Sequence, residues 1–148
     1  MRIVIAAVGR AKEPAYRSLL DEYYGRTRHW AEVVENEIRE DRDDKVATAL
    51  ARVFAVQGSR AEVIAMEVTG ERLSSEQFAR RIDSAMQRAV TPVFVIGGAD
   101  GNVPLVKSAA RWSLSLGPMT LPHRLARLVL AEQVYRAFTI LRGEPYAR

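Results

Sequence analysis

The strongest constraint on the fold of this chain is that short apolar runs alternate with segments of helical periodicity. The apolar runs predict strands at 2–8, 31–38, 61–68, 93–96 and 113–116. Helices are predicted from Pro14 onward, at 45–57, from Ser74 or Ser75 to about Ala89, at about 103–110 and at about 122–141. This alternation favours an α/β fold, a mostly parallel sheet flanked by helices on both faces. Because no repeat, linker or low-complexity segment divides the chain, we expect one domain over residues 1–148.

The composition argues against several classes of protein. No apolar run approaches the roughly 20 residues that a membrane-spanning helix needs. The first residues lack the basic, apolar and cleavage regions of a signal peptide. The chain has no cysteine, and its two histidines are far apart in sequence. We therefore expect a cytoplasmic protein with no membrane segment and no metal site.

Positive charge is concentrated in the last third of the sequence. Residues 1–100 carry 15 basic and 16 acidic groups, whereas residues 101–148 carry seven basic and two acidic groups. The seven are Lys107, Arg111, Arg124, Arg127, Arg136, Arg142 and Arg148. Arginine outnumbers lysine by 19 to 3, and a guanidinium both pairs with phosphates and stacks on bases. This distribution favours a polyanionic partner.

Three loops are predicted at the carboxyl ends of strands, where ligands bind in parallel sheets. They run from Met66 to Gly70, from Gly97 to Gly101 and from Gly117 to Pro122. Glycines let backbone amides approach a ligand closely, although a glycine after a strand is more often only part of a turn. The GGADG sequence matches neither the dinucleotide-binding pattern nor the Walker pattern. The loops therefore suit a neutral or cationic nucleoside better than a ligand held by its phosphates.

The last predicted helix is apolar over an unusually wide arc. The apolar side chains of HRLARLVLAEQVYRAFTIL do not lie on one narrow stripe, so the helix must be covered on more than one side. In a chain of this size the second cover predicts a homodimer. Glu132 and Arg136 are four residues apart and can form an ion pair. The segment GPMTLPHR places His123 at the start of this helix, next to the third loop.

Several motifs in order and at fixed spacing carry a family resemblance. They are AAVGRAKEPAY, FVIGGADG, LSLGPMTLPHRLARLVLAEQVYRAF and RGEPYAR. With them the whole chain resembles the SPOUT-class methyltransferases, and specifically the family that methylates N3 of a pseudouridine in ribosomal RNA of the large subunit. The resemblance implies a homodimer, a C-terminal region threaded into a trefoil knot, and S-adenosylmethionine as cofactor.

The resemblance also implies functional residues at particular positions. The implied cofactor contacts are Met66, Gly97, Gly98, Leu116, Gly117, Pro118, Met119, Thr120 and Leu121. The implied substrate and catalytic residues are His123, Arg136, Tyr146 and Arg148. The family tail usually has a histidine between the tyrosine and the terminal basic residue, where this chain has Ala147. His123 is then the only histidine near the implied site.

The chemistry of methyl transfer suggests a role for each of these side chains. N3 of pseudouridine must lose a proton before or during attack, and a histidine is suited to accept it near neutral pH. A purely structural role for His123 at the start of the helix is the alternative. Arg136 or Arg148 could stabilise negative charge on the flanking carbonyl oxygens, and Tyr146 could stack on the base or hydrogen-bond to it.

Other functions remain open at the level of sequence. A SPOUT methyltransferase could act on another RNA nucleotide, and a non-catalytic RNA-binding protein would share the basic C-terminal end. A metal-free hydrolase using Asp100 and His123 would need a nucleophile, and no serine or cysteine lies in an elbow-like motif. The chain contains no recognisable RNA-binding module. We therefore expect a methyltransferase that docks on an assembled ribosome and has poor activity on naked RNA.

Overall fold

A five-stranded parallel sheet forms the centre of the computed structural model, which describes residues 1–146. The strands are β1 (Arg2–Val8), β2 (Glu32–Ile38), β3 (Ala61–Arg72), β4 (Thr91–Ile96) and β5 (Trp112–Ser115), in the order β2-β1-β4-β3-β5. The helices are α1 (Pro14–Thr27), α2 (Asp43–Gln57), α3 (Ser75–Gln87), α4 (Pro104–Ala109) and α5 (His123–Arg142). Each neighbouring pair of strands runs parallel. The predicted α/β fold with a parallel sheet is confirmed.

Alternate side chains of the central strands form two apolar layers. On β1, Ile3 and Ile5 pack with buried residues of α3 and α5, whereas Val4 and Ala6 pack with buried residues of α2 and α4. This alternation follows from the two-residue period of a strand, which sends successive side chains to opposite faces. The sheet is therefore covered on both faces, as the continuous apolar runs predicted.

The start of α3 shows which of two adjacent serines caps the helix. The backbone N–H of Gln77 donates to Ser74 Oγ at 3.1 Å, and the backbone N–H of Ser74 donates to Gln77 Oε1 at 2.8 Å. These reciprocal bonds satisfy two backbone N–H groups that the first helical turn leaves unpaired. Ser75 instead donates from its hydroxyl to Gln133 on α5, at 2.8 Å.

The loop predicted from Met66 to Gly70 is wrong, because β3 continues to Arg72. Met66 and Glu71 both lie opposite Leu114 of β5, so the intervening residues form an irregularity within the strand. Beyond this irregularity β3 pairs with β5 again, Glu71 with Leu114 and Arg72 with Ser115. This pairing satisfies backbone groups of β3 that a turn would leave without partners. The strand thus returns to the sheet at a point where the sequence pattern predicts a turn.

Helix α5 lies against α1 and α3 on one face of the sheet. Val134 and Phe138 are fully buried in this layer. Other apolar residues of the wide arc are only partly covered within one chain; they are Leu125, Leu128, Val129 and Leu141. Among the described residues, no helix is long and apolar enough to cross a membrane.

Candidate functional site

An open cleft of about 600 Å³ lies at the carboxyl ends of β3, β4 and β5. Eight of the nine predicted cofactor contacts line this carboxyl-end cleft: Met66, Gly97, Gly98, Leu116, Gly117, Met119, Thr120 and Leu121. Pro118 is the ninth and does not line it. The volume lies within the range of about 300–1,000 Å³ typical of small-molecule sites. A depression of about 650 Å³ lies beside Met1 and Thr91, at the amino ends of the strands, where parallel sheets do not usually bind ligands.

The loop after β4 depends on the absence of a side chain at Gly97. The loop folds back on itself, because the backbone N–H of Gly101 donates to the carbonyl oxygen of Gly98 at 3.0 Å. A Cβ atom on Gly97 would lie 2.5 Å from the carbonyl carbon of Gly101 and 2.7 Å from the backbone nitrogen of Asn102. Both neighbours are backbone atoms that cannot rotate away. Gly97 is therefore required for the close packing of this loop, and that packing shapes one wall of the cleft.

Two side chains tie the other walls of the carboxyl-end cleft together. Ser115 Oγ donates to the carbonyl oxygen of Val68 at 2.9 Å and accepts from the backbone N–H of Gly117 at 3.1 Å. Asn102 is buried, and its Nδ2 donates to the carbonyl oxygen of Met66 at 3.0 Å and to Glu67 Oε1 at 3.2 Å. These bonds hold the irregular part of β3 against the loops that follow β4 and β5.

The charged side chains of the cleft wall are both acidic. Among the described residues that line it, Glu40 and Glu67 carry charge, and arginine and lysine are absent. Carboxylates favour a cationic ligand and disfavour a phosphate. Neither glutamate was predicted as a site residue, although Glu67 lies in the loop predicted from Met66 to Gly70; Glu40 lies in an acidic connector. The position of Glu67 directly after Met66 was the signal that could have identified it.

His123 lies in the carboxyl-end cleft at the first residue of α5. Its imidazole packs on the backbone of Gly9, where an added Cβ atom would lie 2.7 Å from His123 Cε1. Its Nδ1 is buried and has no hydrogen-bond partner among the described residues. Burial lowers the pKa of His123, and the charges of Arg124 and Arg127 lower it further. Both effects favour the neutral imidazole, the form that can accept a proton.

Arg136 and Tyr146 lie together at the other end of α5. Thirteen residues separate Arg136 from His123, which corresponds to about 20 Å along a helix. Arg136 Nη2 pairs with Glu132 at 2.6 Å, and its guanidinium lies 4.7 Å from the centre of the Tyr146 ring. Burial raises the pKa of Tyr146. The predicted catalytic residues thus form two groups within one chain.

Two further candidates were named from the sequence, Asp100 and Arg148. Arg148 falls outside the described residues, as does Ala147. Asp100 is exposed and does not line the carboxyl-end cleft, so the geometry does not support a hydrolase that pairs it with His123. Among the described residues, no group of three or more histidine or acidic side chains could hold a metal ion.

Comparison with known proteins shows the family of the chain. Residues 1–147 match the sequence model of the family described as predicted SPOUT methyltransferase. This chain belongs to the SPOUT methyltransferase family. The resemblance carried by the loop and helix motifs is confirmed.

Relatives of this SPOUT methyltransferase share its full length. It is 53% identical to ribosomal RNA large subunit methyltransferase H of Sorangium cellulosum, over 99% of both chains. It is 37% identical to the protein of the same name from Gemmatimonas aurantiaca, again over 99% of both. The SpoU methyltransferase AviRb from Streptomyces viridochromogenes is similar in fold, with a TM-score of 0.50 and 12% identity. That match covers 97% of this chain and 60% of AviRb. The trefoil knot stays a prediction.

S-adenosylmethionine is the methyl donor of SPOUT methyltransferases, and the carboxyl-end cleft fits it. The donor carries a sulfonium and an ammonium against one carboxylate, so its net charge is positive. The wall has carboxylates at Glu40 and Glu67 to match this charge, and apolar side chains at Met66, Leu116 and Leu121 to cover an uncharged nucleoside. The side chains that line the cleft therefore fit the charge and the apolar surface of the cofactor that the family uses.

Proposed function

We propose that this protein transfers a methyl group from S-adenosylmethionine to N3 of a pseudouridine in large-subunit ribosomal RNA within assembled ribosomes. The observation that carries the proposal is the carboxyl-end cleft, which joins three segments at strand ends with a neutral histidine and an acidic wall. The names of the relatives supply the class of substrate, ribosomal RNA of the large subunit.

The residues of the cleft have distinct roles in the proposed reaction. S-adenosylmethionine supplies an electrophilic methyl group on a positively charged sulfur. The Gly97–Gly98 turn and the loop from Leu116 to Leu121 hold the nucleoside through backbone groups and apolar contact, which fixes the direction of attack. His123 accepts the N3 proton, because its imidazole is neutral and lies in the cleft wall.

In the proposed enzyme, Arg136 and Tyr146 reach the site from a second copy of the chain. In a two-fold homodimer with antiparallel α5 helices, the His123 end of one helix lies opposite the Arg136 end of the other. Partly covered apolar residues on α5, including Leu125 and Val129, supply a surface for this contact. Arg136 of the second copy then stabilises charge on the carbonyl oxygens of the base, and Tyr146 of the second copy stacks on it.

The test of the proposed function is methyl incorporation from labelled S-adenosylmethionine into three substrates. These are intact ribosomes, separated large subunits and naked ribosomal RNA, with the modified nucleotide mapped by mass spectrometry. Incorporation on ribosomal particles at N3 of one pseudouridine, with little on naked RNA, is the expected result. Labelling of a different nucleotide would contradict the substrate assignment, and failure of the cofactor to bind would contradict the function as a whole.

A site shared between subunits predicts complementation between two inactive variants. His123→Ala and Arg136→Ala, each inactive alone, should recover about one quarter of wild-type activity when co-refolded in equal amounts. Half of the dimers are then mixed, and each mixed dimer contains one intact site. The measurement is single-turnover methylation of ribosomes. A mixture that stays inactive would mean that His123 and Arg136 do not combine across the dimer to form one site.

The acidic wall predicts that Glu67→Gln weakens binding of the cofactor S-adenosylmethionine more than binding of the product S-adenosylhomocysteine. The affinity for S-adenosylmethionine should fall about three- to tenfold, because one of the two carboxylates that line the cleft and attract a cationic ligand is lost. The affinity for S-adenosylhomocysteine, whose sulfur is neutral, should change little. Calorimetric titration of both ligands measures the ratio. Glu71→Gln is the matched control, since Glu71 lies on the same strand, pairs with Arg81 and does not line the cleft.

A further inference from the structure

Arg127 is the largest fully buried side chain in the described part of the protein. It lies on α5 one turn after His123, and the sequence counts it among the charges available to a polyanion. The structure instead places its guanidinium in the interior. Nη1 donates to Glu37 Oε2 at 2.7 Å and lies 3.6 Å from Glu35 Oε1, while Nη2 donates to the carbonyl oxygen of Gly9 at 3.0 Å.

Gly9, whose carbonyl oxygen accepts from Arg127, begins a backbone segment 9–11 and is the residue on which His123 rests. Gly9 has a φ of +110°, and its Cα faces the imidazole so closely that a Cβ atom would lie 2.7 Å from Cε1 and 3.0 Å from Nε2. Glu37 also accepts from the backbone N–H of Ala11 at 2.7 Å. Arg124 Nε donates to the carbonyl oxygen of Arg10 at 3.0 Å. The segment is thus held by β2 on one side and by the first turns of α5 on the other.

We infer that Arg127 is a positioning residue that fixes His123 in the wall of the carboxyl-end cleft by holding the Gly9 carbonyl oxygen, which keeps Gly9 Cα against the imidazole. The inference rests on the proposed function, in which His123 accepts the substrate proton. Arg127 itself is buried beneath the cleft wall and does not line the cleft, so it acts through the backbone of Gly9.

The chemistry of a guanidinium explains why an arginine can perform this task. A buried charge is costly to desolvate, and apolar side chains often stabilise an interior as well as a buried ion pair does. A planar fork, however, can donate to a carboxylate and to a carbonyl in two fixed directions at once. Arg127 thereby connects Glu37 of β2, Gly9 after β1 and helix α5.

The positive charges of α5 near His123 also affect its pKa. Arg124 and Arg127 on α5 lower the pKa of His123 in addition to the effect of burial, whereas Glu40 and Glu13 raise it. The same side chain that holds Gly9 therefore also favours the neutral imidazole.

The experiment uses the fact that the chain has two histidines. In the full-length protein, the Cε1–H resonance of His123 is followed by NMR during a pH titration, with the exposed His29 as internal reference. In Arg127→Lys, one ammonium can keep the pair with Glu37 but cannot also reach Gly9 in the fork geometry. The imidazole should then move from Gly9 and lose part of its burial, so its resonance should shift and its pKa should rise, while the His29 resonance stays unchanged. Turnover should fall about tenfold while the Kd for S-adenosylmethionine stays the same.

A second variant tests the same contact and leaves the Arg127 side chain in place. Gly9→Ala should displace the imidazole, shift the His123 resonance and lower turnover. Gly58→Ala is its control, because Gly58 also has a positive φ, +61°, but an added Cβ atom there would meet no neighbour. Arg127→Lys or Gly9→Ala folding normally with an unchanged His123 resonance, pKa and turnover would overturn the inference. Since the resonance does not require cofactor or RNA, this failure is distinct from failure of the wild-type protein to methylate.

Discussion

Replacing His123 with alanine is expected to lower turnover by about 10²- to 10⁴-fold, the usual effect of removing a general base. Water would then have to accept the proton from N3, and the ligands bound in the cleft restrict the access of water. The affinity for S-adenosylmethionine should change by less than about threefold, because the proposed function assigns the nucleoside to backbone groups and apolar residues of the loops. Single-turnover methylation of ribosomes at saturating cofactor measures the first quantity, and calorimetric titration measures the second.

The pH dependence of turnover provides a second test of His123. Protonated imidazole cannot accept a proton, so turnover should rise with pH as His123 loses its charge. Because burial, with Arg124 and Arg127, lowers the pKa of His123, the rise should be centred below the ordinary value of about 6.5. In that interval the unfolded chain binds more protons at this position than the folded chain, so the free energy of unfolding should also increase with pH.

The control for both tests is the other histidine. His29 is exposed, lies outside the carboxyl-end cleft and makes an edge contact with Trp30. His29→Ala should leave turnover, its pH profile and cofactor affinity as in the wild-type protein. Full turnover in His123→Ala would remove the imidazole from the chemistry and leave it the structural role at the start of α5.

Replacing Gly97 with alanine is expected to damage both stability and activity. The new methyl group would lie 2.5–2.7 Å from backbone atoms of Gly101 and Asn102, so the loop after β4 must open. Overpacking of this kind costs about 1–3 kcal/mol of unfolding free energy. Displacement of the turn by about 1 Å should lower turnover on the order of 100-fold, since the proposed function gives that loop the task of orienting the cofactor. Urea unfolding measures the first effect, and single-turnover methylation of ribosomes measures the second.

Gly25 provides the matched control for this substitution. It lies within α1, and an added Cβ atom would meet no neighbour. Gly25→Ala should therefore raise the free energy of unfolding by about 0.4–1 kcal/mol through the lower entropy of the unfolded chain. Equal effects of Gly97→Ala and Gly25→Ala, with normal cofactor binding in both, would contradict the close packing assigned to the Gly97–Gly101 loop.

The secondary structure could be predicted from the sequence because its signals are local. Apolar runs such as 2–8 and 93–96 indicate strands buried on both faces, and the helical spacing after Pro14 and Ser74 indicates helices. The end of β3 could not be predicted in this way. Its continuation to Arg72 depends on hydrogen bonds to β5, a strand more than 40 residues later in the chain.

The part of the candidate site that depends on local signals could also be predicted from the sequence. Strand ends identify the loops around Gly97 and Gly117, and a parallel sheet brings such loops to one edge. The acidic wall was missed, because the charge of Glu40 or Glu67 indicates nothing about which cleft it faces until the loops are folded. The separation of Arg136 from His123 along α5 can be calculated from the sequence, but the interpretation as one site requires a second copy of the chain.

The sequence by itself determined the alternating elements, the family motifs and the chemical types available to the site. Tertiary structure alone decided that Arg127 is buried and that His123 rests on Gly9. The physical reason is that periodicity depends on neighbours along the chain, whereas the burial of a charge depends on partners far away in sequence. The carboxylate that stabilises Arg127 belongs to Glu37, 90 residues earlier, and the two meet only when α5 packs onto the sheet.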